Sequence, residues 1–172
     1  MVIILLGYMG SGKSVVGKAL ANRLQINFID LDHYIEAQQN TSISALFKDS
    51  GPIQFRKIEA KAVREICSNH NDTVLAAGGG TPCYGDTMQF LMGHPNIFTI
   101  YLKASVETLN ERLLQEKSQR PLIADIADEK LLEYIAKHLF ERTKFYIQSQ
   151  FTINTDTMNL NQIVDVIKIE LN

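Results

Sequence analysis

"VIILLGYMGSGKS", residues 2–14, joins an apolar run of five residues to a glycine-punctuated loop that ends in lysine and serine. An uninterrupted aliphatic run over Val2–Leu6 predicts a strand buried on both faces, as in a parallel sheet. Gly7 to Ser14 fits G-x-x-x-x-G-K-[ST], and a helix is expected to start near Lys13. Gly7, Gly10 and Gly12 let the backbone turn its N–H groups inward, and the helix start adds the positive end of its dipole. That combination suits a polyphosphate such as ATP. Lys13 is expected at the β- and γ-phosphates and the Ser14 hydroxyl at Mg²⁺. Gly10, Ser11 and Gly12 complete the nucleotide contacts, and Val15 adjoins them chiefly as a packing residue.

Outward from this stretch, strand-like runs recur at Asn27–Asp30, 73–77, 97–102 and Phe151–Asn154, with helical periodicity between them. Strands alternating with helices predict an α/β fold, a mostly parallel sheet covered on both faces. With 172 residues and no repeat or linker, a single domain spanning 1–172 is expected. In such sheets ligands bind beyond the carboxyl ends of the strands, so the loops after Leu6, Asp30 and Ala77 are expected to converge. The net charge of −2 gives no electrostatic case for nucleic acid or an anionic membrane. No window approaches the ~20 apolar residues of a membrane span, and the short apolar N-terminal run lacks a basic segment ahead of it. Cys67 and Cys83 match no metal spacing. A reducing, cytoplasmic setting is therefore expected.

"FIDLDHYIE", residues 28–36, places Asp30 and Asp32 at the end of the second strand. Strand alternation would turn both carboxylates to one side, where a cation or a hydroxylated ligand gives them a reason. Asp30, nearer the strand, is the candidate for phosphate-bound Mg²⁺. Asp32 is the candidate for a substrate hydroxyl. The bland alternative is that one of them caps a helix starting near His33.

In "GPIQFRKIEAKAVREIC", residues 51–67, Phe55, Ile58, Ala62 and Ile66 form one helical stripe and Ile53, Ala60, Val63 and Cys67 a second, with Arg56 on the second. A guanidinium in line with core-facing residues needs a partner, and Glu59 is one turn away. The helix "EKLLEYIAKHLFERTKFY", residues 129–146, repeats the anomaly, with Leu132, Ile135, Leu139 and Tyr146 spaced for one face that also holds Arg142. Two inward arginines suit a carboxylate or phosphate. Gly78, Gly79 and Gly80 follow the third strand, and bare backbone there lets a ligand lie against N–H groups. A polar segment over about 110–127 suits a mobile lid. Within it, Arg120 is held extended before Pro121 and is placed to close on the transferring phosphate, and Arg112 to stack on adenine.

These motifs, in this order and spacing over nearly the whole chain, resemble shikimate kinase. The resemblance implies a P-loop, nucleoside-monophosphate-kinase-like three-layer sandwich whose five-stranded parallel sheet carries helices on both faces. It implies MgATP-dependent phosphorylation of the shikimate 3-hydroxyl, on the route to chorismate and the aromatic amino acids, by a cytoplasmic monomer. By the same likeness Asp32, Arg56, Gly79 and Arg142 match substrate contacts within an acceptor-binding segment over about 32–67 and beyond. Asp30 matches a metal-linked aspartate, and Lys13, Asp32 and Arg120 the catalytic set. The chain departs from the family pattern at Val15, where threonine is usual, and at "TKFY", residues 143–146. A kinase for a related hydroxy acid such as gluconate, and a nucleotide-dependent switch module, are the alternatives.

Overall fold

A computed structural model describes residues 1–69, 72–120 and 122–171. Five strands, β1 (Val2–Leu6), β2 (Asn27–Asp30), β3 (Thr73–Ala76), β4 (Ile97–Lys103) and β5 (Phe151–Asn154), form one parallel sheet in the order β2-β3-β1-β4-β5. Seven helices connect and follow them: α1 (Lys13–Leu24), α2 (Leu31–Gln39), α3 (Ile43–Asn69), α4 (Thr87–Gly93), α5 (Val106–Glu116), α6 (Asp128–Tyr146) and α7 (Leu160–Glu170). Short 3₁₀ turns lie at Thr81–Cys83 and Lys117–Gln119.

The aliphatic run at the N-terminus suits the central strand because all five of its side chains are apolar and bury on both faces. Ile3 and Leu5 pack with α1 and α7, while Val2, Ile4 and Leu6 pack with α2, α3, α4 and α6 on the other face. A third cluster joins Tyr8, Leu109, Leu113, Ile123, Leu131 and Ile135 beside the loop that follows β1. Strand register sets Leu5, Ala76 and Asp30 abreast. The loops after β1, β2 and β3 therefore open on one edge of the sheet, as expected from its parallel order.

Three local expectations are corrected. The helix after β2 starts at Leu31, not near His33, so Asp32 lies in its first turn and strand alternation does not govern the aspartate pair. α3 breaks at Gly51, whose φ of 75° and ψ of 166° suit glycine, and restarts at Pro52. Ile53, in the first turn after the break, is 77% exposed, while Phe55, Val63 and Cys67 farther along are buried. In α6 the inward residue is Leu131, four before Ile135, and Leu132 is exposed.

Candidate active site

The loop after β1 turns through Gly10 and Gly12, at φ 79° and 93°, conformations that a side chain makes costly. Lys13 opens α1 and is buried, its Nζ donating to the carbonyls of Gly7 at 2.9 Å and Tyr8 at 2.8 Å. Burial lowers its pKa to about 8, an effect that the nearby charges of Asp32 and Asp30 partly offset. Ser11 is turned into the loop: its hydroxyl is buried and its N–H donates to the Tyr8 carbonyl. Val15 stands exposed at the mouth.

Asp30 is the N-cap of α2. One carboxylate oxygen accepts from the Asp32 N–H at 3.2 Å and the other from the Ser14 hydroxyl at 2.7 Å. Capping and hydroxyl binding thus coexist in one residue, and both aspartates reach the cleft because the strand-to-helix turn brings them there. Asp32 is open to the cleft but walled by protein. Desolvation by those walls, followed by the charges of Asp30 and Glu59, pushes its carboxyl up to about 6.

The glycine triplet packs close to Arg56, Glu59, Asp32 and Arg142. A Cβ on Gly80 would lie 2.6 Å from Arg56 Nη2, and one on Gly78 2.8 Å from Glu59 Oε1 and 3.5 Å from Asp32 Oδ1. One on Gly79 would lie 3.6 Å from Arg142 Nη1. Gly78 and Gly80 thus leave the room in which Glu59 and Arg56 close on the backbone, a packing reason beside any N–H groups the triplet offers a ligand. Glu59 is almost wholly buried. One of its oxygens accepts from the Thr81 hydroxyl at 2.6 Å and the other pairs with Arg56. Arg142, half-buried, has its guanidinium 5.3 Å from the Tyr8 ring centroid and hydrogen-bonds Tyr146, whose hydroxyl donates to the Gly79 carbonyl.

These groups border a cleft of about 430 Å³ that the phosphate loop, both aspartates, Gly78 and Gly79 line together with Arg112, Glu116 and Arg120. Arg56, Arg142 and Gly80, expected at the acceptor, are not among the residues that line it. Arg112 ties α5 to the loop by donating to the Gly10 carbonyl at 3.1 Å. Arg120 is extended, with φ −123° and ψ 95°, and its guanidinium pairs with Glu116, Nε donating at 3.0 Å. Pro121, invoked to hold it extended, lies outside the described residues. The departure at residues 143–146 leaves the later loop near 154–156 poorly aligned with the family; Thr155 of that loop lines the cleft, together with Met158, Leu160 and Ile163, which sequence reading overlooked. Their signal was weak, because they straddle β5 and α7 where no motif marks them. Thr155 is fixed there by its N–H and hydroxyl, both donating to the Lys103 carbonyl.

Comparison with known proteins places this geometry in context. The family model described as shikimate kinase matches residues 9–172. A shikimate kinase of Flavobacterium johnsoniae is 42% identical over 168 residues, covering 97% of each chain. The crystal structure of shikimate kinase from Bacteroides thetaiotaomicron superposes with a TM-score of 0.92 at 34% identity, covering 99% of this chain and 98% of that one. A structure of the Acinetobacter baumannii shikimate kinase in complex with shikimate gives 0.86 at 30% identity, covering 99% and 92%.

Proposed function

The chain belongs to the shikimate kinase family, and on that premise we propose how its cleft carries the γ-phosphoryl group of ATP to the 3-hydroxyl of shikimate, giving shikimate 3-phosphate and ADP. The observation that carries the assignment of roles is the glycine triplet, against which Arg56, Glu59 and Arg142 close within the same sheet edge that presents Lys13 and Asp32.

Arg56 and Arg142 receive the acceptor carboxylate, flanking the consecutive glycines 79 and 80. Asp32 accepts hydrogen bonds from ring hydroxyls and takes the proton of the attacking one, for which a carboxyl titrating at about 6 is ionised at neutral pH yet still basic. Lys13 exchanges its two carbonyl partners for phosphate oxygens, and the loop N–H groups from Gly10 to Ser14 surround the phosphates. Arg120 leaves Glu116 and offsets charge on the transferring group while the lid, about 110–127, excludes water. Adenine lies between Arg112 and the wall formed by Thr155, Met158 and Leu160.

Among the described residues no three His, Cys, Asp or Glu converge as a metal cage. The paired oxygens of Ser14 and Asp30 instead suit a hard cation that takes its other ligands from phosphate and water. When bound, Mg²⁺ neutralises charge on the β- and γ-phosphates, with Ser14 and Asp30 holding it directly or through water. No helix among the described residues is long and apolar enough to cross a membrane. We read the enzyme as a cytoplasmic monomer, since one chain supplies every group in this scheme.

The test is ADP release from MgATP with shikimate, gluconate or a nucleoside monophosphate as acceptor. Turnover with shikimate alone is the expected result. Equal turnover with gluconate would indicate the related hydroxy-acid kinase, and ATP binding without acceptor-dependent turnover would indicate a switch module.

A further inference from the structure

Arg56 is held by more than Glu59. Its guanidinium carbon lies 4.3 Å from the ring centroid of Tyr84, 5.2 Å from that of Phe55 and 5.8 Å from that of Phe47. Phe47 and Phe55 have a packing reason to be there, since their rings meet at 4.2 Å and belong to the core around β1. Tyr84 has no such reason, being 47% exposed. The chain nonetheless delivers it to Arg56. The 3₁₀ turn Thr81–Cys83 follows Gly80 directly, Tyr84 leaves it extended, and Gly85 at φ 60° turns the backbone away again. The missing side chain of Gly80 makes the room in which the guanidinium lies.

The two kinds of contact do different things. Glu59 takes one donor, on Nη1, and sets its charge against that of Arg56. An aromatic face attracts a guanidinium without consuming its N–H donors, which point outward in the plane of the group. Contact with the Tyr84 ring thus restrains the Arg56 guanidinium while leaving Nη2 and Nε for an incoming carboxylate. We propose that Tyr84 is a positioning residue for acceptor binding, its ring holding the Arg56 guanidinium in the plane that receives the acceptor's carboxylate. The inference rests on Arg56 being part of the carboxylate clamp.

Steady-state kinetics of the full chain test it, varying shikimate at saturating MgATP and MgATP at saturating shikimate. Tyr84→Ala is expected to raise the KM for shikimate roughly three- to tenfold, the range a partly exposed cation–π contact spans. Its kcat and its KM for ATP should stay within about twofold, because the ring lies behind the acceptor and away from the phosphates. Tyr84→Phe is expected to restore the parental KM and Tyr84→Leu to fail, separating the π-face from volume and from the hydroxyl. In the Arg56→Ala background, adding Tyr84→Ala should change the KM by less than about twofold, since the tyrosine acts through the arginine. An unchanged KM in Tyr84→Ala beside a raised one in Arg56→Ala overturns the role of Tyr84 and leaves the clamp. An unchanged KM in Arg56→Ala removes the clamp and this inference with it. A Phe variant as impaired as the Ala variant assigns the effect to the hydroxyl, and additive effects in the double variant place Tyr84 on the acceptor itself; both outcomes overturn the proposal. If Tyr84→Ala fails to fold, the comparison of Phe with Leu decides.

Discussion

Asp32 combines an upward-shifted carboxyl with a position in the mouth of the cleft, and both properties make predictions. Asp32→Asn is expected to lower kcat by about 10²–10⁴, the usual contribution of a positioned base, with MgATP binding by calorimetry retained. The same substitution should raise the Tm slightly at pH 7.5. A carboxyl whose folded pKa lies above its unfolded value binds its proton more tightly in the folded state. Folding therefore loses stability as pH rises from about 3.8 through about 6. Asparagine escapes that loss, so the difference in Tm should vanish near pH 4; solvent in the open cleft keeps it small. Lys13 supplies the opposite limb. Its burial lowers the pKa to about 8, so above that pH the free enzyme loses a phosphate-binding charge. The pH profile of kcat/KM for ATP should accordingly fall on its alkaline side near 8, and that of kcat farther up, since bound phosphates favour the charged ammonium. Coincident alkaline limbs would count against Lys13 as the group responsible.

At the scale of elements, what the sequence made legible and what it hid have separate physical causes. Val2–Leu6 and the glycine loop were readable because strand burial and phosphate cradling each demand a narrow choice of residues at fixed offsets. The inward orientation of Arg56 was readable from helical register, yet Ile53 on the same stripe points to solvent, because it stands in the first turn after the break at Gly51, a helix start that periodicity alone does not mark. Glycine at 78–80 was visible as a motif, but its packing against side chains was not. Its partners, Glu59 and Arg56, are some twenty residues earlier in the chain, and a steric reason of that kind appears only when α3 and β3 are brought together. Gly80→Ala tests the packed reading directly. A Cβ there meets the Arg56 guanidinium head-on, so the KM for shikimate is expected to rise at least tenfold while the KM for ATP changes less than about twofold. Were Gly80 needed only for loop flexibility, both constants would move together.

The whole molecule joins a rigid sheet edge to a segment whose arginine is held at the cleft by an exposed ion pair, and catalysis on this scheme needs that difference. The loops after β1, β2 and β3 are fixed by parallel register, by the Asp30 cap and by Glu59, so the acceptor and phosphate groups are preorganised before any ligand arrives. The stretch between α5 and α6 is held differently. Ile123 is anchored in the cluster beside the phosphate loop, while the Arg120 guanidinium pairs with Glu116, a partner on the lip of the same cleft and itself half exposed. An exposed ion pair contributes about 0–1 kcal/mol, so it is easily exchanged for a phosphoryl group whose negative charge is spread over three oxygens. Arg120→Ala should therefore leave the Tm within about 2 °C and the calorimetric affinity for shikimate unchanged, while kcat falls by about 10³ or more, as for arginines that meet the transferring group. If kcat instead fell less than tenfold, charge compensation in the transition state would rest with Lys13 and the loop amides alone. A fall in Tm of many degrees would make Arg120 a structural tie between α5 and the lid and would explain its place beside Glu116 without catalysis.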